Sequence, residues 1–76
     1  MQTPIGYLTL YSPDGNQGKE LSLAMRSKGL QWAGGGSGES GVDQSYDVFI
    51  PEQLEDAKKI ANRFGWKLKY EPEPQK

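Results

Sequence analysis

The chain has 76 residues, 9 basic and 10 acidic, for a net charge of -1 at neutral pH. A chain this short buries only about 60% of the surface its unfolded form exposes, so one compact pair of layers is the limit and little core is spare for a deep internal pocket. It contains no Cys and no His, which removes disulfides, thiolate metal sites, a Cys nucleophile and the commonest general base, and leaves only carboxylates, Lys or Tyr for any catalysis.

Gly6-Tyr7-Leu8-Thr9-Leu10-Tyr11 alternates with period two and predicts a strand with two unlike faces. Ser12-Pro13-Asp14-Gly15 ends it as a turn, and Asp14 or Asn16 is placed to cap a following helix. That helix is predicted over Lys19 to Lys28, with Leu21, Ala24, Met25 and Lys28 on one stripe and Gly29 as its stop. Leu30 to Ala33 reads as a short edge strand. Gly34 to Gln44 reads as a flexible Gly-rich loop joining it to the next strand, Gln44 to Ile50. Pro51 opens a second helix with Glu52, Glu55 and Asp56 at its start and Lys58, Lys59 and Arg63 at its end, complementing the helix dipole. Leu54, Ala57, Ile60, Ala61 and Phe64 give that helix its apolar face. Gly65 closes it, and Trp66 to Tyr70 is a final strand. Residues 71–76 read as a disordered, proline-extended tail beyond a single domain spanning 1–70.

The order strand, helix, strand, strand, helix, strand matches the ferredoxin-like split β-α-β pattern: an α+β fold with a four-stranded antiparallel sheet carrying two helices on one face. The alternative omits the weak second strand and leaves a three-stranded sheet with two helices. If the helices cover one face, the core takes Leu8, Leu10, Leu30, Trp32, Tyr46, Val48, Ile50, Trp66, Leu68 and Tyr70. Period two then puts Tyr7, Thr9, Tyr11, Asp47, Phe49, Lys67 and Lys69 on the other face.

Aromatic rings interleaved with ammonium groups on an open sheet suit single-stranded nucleic acid, through base stacking and phosphate neutralisation. The layout resembles the RNA-recognition motif, which would imply base stacking on Tyr7, Tyr11 and Phe49. The third strand, Gln44-Ser45-Tyr46-Asp47-Val48-Phe49, nevertheless lacks that family's basic residue and glycine and puts a carboxylate on the face. Strand propensity and cross-strand aromatic pairing, or burial in a partner interface, account for the same residues.

Gly36-x-Gly38-x-x-Gly41 matches a nucleotide-binding spacing formally, but no helix follows it and Glu39 lies inside the anion cradle. The reading is a mobile connection that contacts a partner through Glu39 and Asp43. Asp14-x-Asn16-x-Gly18 is not a calcium loop, because Lys19 and Met25 replace the required Gly and Glu. No cofactor or metal is expected. The leading expectation is a small non-enzymatic interaction module whose partner is a protein, with a second copy of the chain as one candidate. It would bind through Tyr7, Tyr11, Phe49, Lys67, Lys69, Glu39 and Asp43. A chain of this size suits an inhibitor or accessory factor that occludes a larger target, a role frequent among phage-encoded proteins. Single-stranded nucleic-acid binding and small-ligand sensing at a dimer interface are the alternatives. No basic head with an apolar run and no 18-residue apolar stretch is present, so a soluble, cytoplasmic protein without membrane contact is expected.

Overall fold

A computed structural model describes residues 3–38 and 41–73. The elements are β1 (Gly6–Ser12), α1 (Gly18–Ser27), β2 (Gln31–Gly38), β3 (Gly41–Val48), α2 (Pro51–Phe64) and β4 (Lys67–Pro72). All four strands join one antiparallel sheet in the order β2-β3-β1-β4. The three-stranded alternative is thereby set aside, and the fold is α+β.

Alternation in β1 buries Leu8 and Leu10 while Tyr7 and Tyr11 face outward. The helix stripes Leu21 and Met25 of α1 and Ala57, Ile60 and Ala61 of α2 enter the same cluster, with Leu30, Tyr46, Val48 and Trp66. Leu54, Phe64, Leu68 and Tyr70 pack around it, half-buried. Two expected core members lie outside. Trp32 is 50% exposed and Ile50 42%, because Trp32 stands on the outermost strand and Ile50 lies past the end of β3, as the extended residue before Pro51. Trp32 keeps an edge-to-face contact with Tyr46, ring centroids 5.5 Å apart.

Three local features differ from the sequence reading. The carboxylate of Asp14 does not cap α1. It accepts the Asn16 amide at 3.0 Å and the Ser12 hydroxyl at 2.9 Å, and the residue before α1 is Gln17, left-handed at φ 60° with no side-chain cap. Those two bonds, the Asn16 amide foremost, hold the Asp14 carboxyl below its ordinary pKa. A depressed carboxyl stabilises the fold above its unfolded-state pKa, and the contribution is lost as pH falls through the folded value. NMR titration is therefore expected to place Asp14 below the usual carboxylate range, and Ser12→Ala to move it only part of the way back. An unshifted Asp14 would contradict the turn geometry.

The connection between β2 and β3 is also shorter than the predicted 34–44 loop. Residues 34–38 and 41–44 are strand, paired from Gly34↔Ser45 to Gly38↔Gly41. The Gly-rich strand bulges: Trp32 faces Tyr46 and Gly34 faces Ser45, leaving Ala33 extra, with Gly34 at φ 155°. Glycine has no alternating side chains to announce a strand, but its backbone still donates and accepts. At the other terminus β4 runs to Pro72, and the Glu73 amide donates to the Ile5 carbonyl at 3.1 Å. Residues 71–73 are thus paired rather than frayed, and the remainder of the expected tail, 74–76, lies outside the described residues.

Gln53 links the two helices. Its side-chain oxygen accepts the Phe49 amide at 2.7 Å, and its amide donates to the Lys28 carbonyl at 3.4 Å. Gly29 at φ 90° and Gly65 at φ 75° end α1 and α2 in the left-handed region, as their positions predict.

Candidate functional site

The sheet face opposite the helices is built in three rows by the strand register. Tyr7 lies between Asp47 of β3 and Glu71 of β4, Thr9 between Ser45 and Lys69, and Tyr11 between Asp43 and Lys67. Tyr7 and Tyr11 are 37% and 36% exposed, and with Asp43, Lys67 and Lys69 they line one shallow groove of about 430 Å³. Five of the seven residues singled out from the sequence therefore meet in one place. The register, not proximity in sequence, brings them there.

Phe49 does not join them. β3 ends at Val48, opposite Gly6, so Phe49 has passed the last row of the sheet. It lines a separate groove of about 490 Å³ with Pro4, Gln31, Asp47 and Gln53. Glu39 lies outside the described residues. Asp43 is an integral strand residue instead of a loop contact, and its Oδ1 accepts the Gly36 amide at 2.9 Å. Sequence reasoning left out Glu71 and Ser45 as parts of the face. Ser45 stands within 3.3 Å of Thr9, hydroxyl to hydroxyl, and Glu71 stands 3.6 Å from the Lys69 ammonium. Period two through Gln44 to Ile50 already pointed Ser45 outward. Glu71 required seeing that the last strand continues to Pro72.

The two strands flanking β1 on this face differ in charge. β3 contributes only carboxylates, Asp43 and Asp47, β4 contributes the ammonium groups Lys67 and Lys69 together with the carboxylate Glu71, and β1 sets its aromatic rings between them. The Lys69–Glu71 pair is well exposed and contributes little to stability, while it offsets one of the two positive charges. On the helix side, burial raises the Tyr46 hydroxyl above its ordinary pKa, and that hydroxyl donates to Gln44 Oε1 at 2.6 Å. Gln44 in turn donates to the Gly18 carbonyl at 2.9 Å, so this polar chain ties the sheet to the start of α1.

Among the described residues, no group of three Asp or Glu side chains is placed to hold a metal ion, and no helix is long and apolar enough to cross a membrane. Comparison of the chain with protein-family models, with curated proteins and with solved structures finds no match.

Proposed function

We propose that the chain is a small non-enzymatic interaction module that binds a protein partner through the uncovered sheet face. The strand order, read from the other edge as β4-β1-β3-β2, supports assigning the fold to the ferredoxin-like arrangement, in which that face is available for recognition. The observation that carries the functional reading is the row of Tyr7 and Tyr11 on β1, with the carboxylates Asp43 and Asp47 along one side and the mixed charges Lys67, Lys69 and Glu71 along the other. Tyr supplies a large contact area with few rotatable bonds and a polar tip, which favours it at protein interfaces. A strip carrying both signs of charge complements the mixed surface of a folded protein and fixes its orientation. A polyanion would meet Asp43 or Asp47 beside each ring, at a cost to every phosphate it placed there. An inhibitor or accessory factor would use such a face to occlude a site on a larger protein.

Affinity capture from cell extract, with the wild type and the double variant Tyr7→Ser, Tyr11→Ser as parallel baits, tests this reading. A protein retained by the first bait should be lost from the second, with an affinity loss of about 30-fold or more if the two tyrosines act as hot spots, while circular dichroism and the thermal transition show the variant folded. Salt-sensitive binding of a labelled single-stranded oligonucleotide, abolished by the same variant, would overturn the reading in favour of nucleic acid. Stabilisation by a small metabolite together with a concentration-dependent mass would overturn it in favour of ligand sensing.

A further inference from the structure

The two outer strands of the sheet are unlike. β4 carries Lys67, Lys69, Glu71 and Pro72, the charged side chains and proline that blunt an exposed edge. β2 carries none of these. Its eight residues, Gln31 to Gly38, include no charge and no proline, and four of them are glycine. Its outer edge pairs with no described residue. The only large side chain on it is Trp32, half exposed near one end.

We propose that the outer edge of β2 pairs with β2 of a second copy of this chain, antiparallel about a twofold axis, joining two four-stranded sheets into one of eight. Unpaired backbone amides and carbonyls along an edge strand are a template for another strand. With glycine at 34, 35, 36 and 38, a second backbone can approach without displacing side chains. The neutrality of β2 selects the occupant. A foreign extended peptide gains specificity from pockets for its alternate side chains, and a glycine strand offers none. A second copy needs none, because a twofold axis makes each backbone contact occur twice, and two uncharged strands meet without repulsion. Antiparallel pairing centred on Gly35 brings each Trp32 toward the Ser37–Gly38 end of the other copy. Among the described residues, nothing lies within 4 Å of a Cβ position at Gly38, so the approaching indole meets none of their side chains there. Tyr11 shares a shallow groove with Gly36, Ser37 and Gly38, but the pairing proposed uses the backbone edge of β2 and not the tyrosine side chains, so the variants below separate it from the function above.

Sedimentation velocity of the full chain from micromolar to millimolar concentration tests it, beside two variants. Ala33→Lys with Ser37→Lys adds charge at two exposed positions of β2. Tyr7→Ser with Tyr11→Ser alters the open face. The wild type and the tyrosine variant are expected to double in mass with rising concentration, and the lysine variant to remain a monomer. Hydrogen exchange provides a readout that needs no variant: amides within 33–38 should become more protected as wild-type concentration rises. A chain that is monomeric at millimolar concentration, with concentration-independent exchange, overturns the proposal and leaves the edge to a segment of another protein. A dimer that survives the two lysines but is lost in the tyrosine variant overturns it in favour of the open face.

Discussion

Replacing Trp66 with alanine is expected to remove a large share of the protein's stability. Trp66 is 5% exposed, and its indole N–H donates to the Asn16 carbonyl at 2.9 Å, across fifty residues of sequence. One side chain thus holds the start of the last strand against the turn that introduces α1. Truncating a buried Trp to Ala costs about 3–5 kcal/mol, and a domain of this length has about 4–11 kcal/mol in total. Urea unfolding followed by circular dichroism should show the transition displaced to markedly lower denaturant. Trp66→Phe separates the two contributions. It keeps most of the apolar volume and removes the hydrogen bond, at a cost of about 1 kcal/mol, or a melting temperature lower by about 4–8 °C. If Trp66→Ala melted as the wild type does, the central place of this residue in the fold would be wrong.

The sequence disclosed the elements that carry side-chain patterns. β1 alternates Tyr7, Leu8, Thr9, Leu10 and Tyr11, and its burial follows that alternation residue by residue. α2 begins at Pro51 and stops at Gly65, each chosen by backbone geometry alone. The strand order made Tyr7, Tyr11, Lys67 and Lys69 neighbours in advance, and they line one groove. What stayed hidden is where the backbone alone decides. Residues 34–38 have almost no side chains from which a period could be read, so composition suggested a loop where the main chain forms a strand. Trp32 looked like core because it alternates with Gln31 and Ala33. Its exposure depends on β2 being outermost, a property of the assembled sheet. Phe49 was misplaced for a related reason. Its parity is right, but β3 stops one residue before it.

The glycine run should not tolerate substitution uniformly, and the contrast between Gly35 and Gly36 is the sharpest consequence of its being a strand. A Cβ on Gly35 would stand 2.7 Å from the Asp43 carbonyl oxygen and 2.9 Å from Cη2 of the Trp32 indole. The carbonyl belongs to the paired strand and cannot swing aside, so relief requires moving the β2–β3 pairing or expelling the indole from its contact with Tyr46. Gly35→Val is therefore expected to destabilise the domain by about 1–3 kcal/mol, the range for overpacking. It should also shift Trp32 emission to the red in a Trp66→Phe background, where Trp32 is the only fluorophore of its kind. At Gly36 the same Cβ meets only Asp43 Oδ1, at an ordinary 3.7 Å. Gly36→Ala should leave emission unchanged, and should raise stability by about 0.4–1 kcal/mol by restricting the unfolded chain. A mobile loop would treat the two positions alike, so equal responses to Gly35→Val and Gly36→Ala would return this segment to the loop its composition suggests. Opposite responses of adjacent glycines can arise only where each has a fixed neighbour, which here means the indole of Trp32 lying across Gly35 and the pairing of β2 with β3 beneath it.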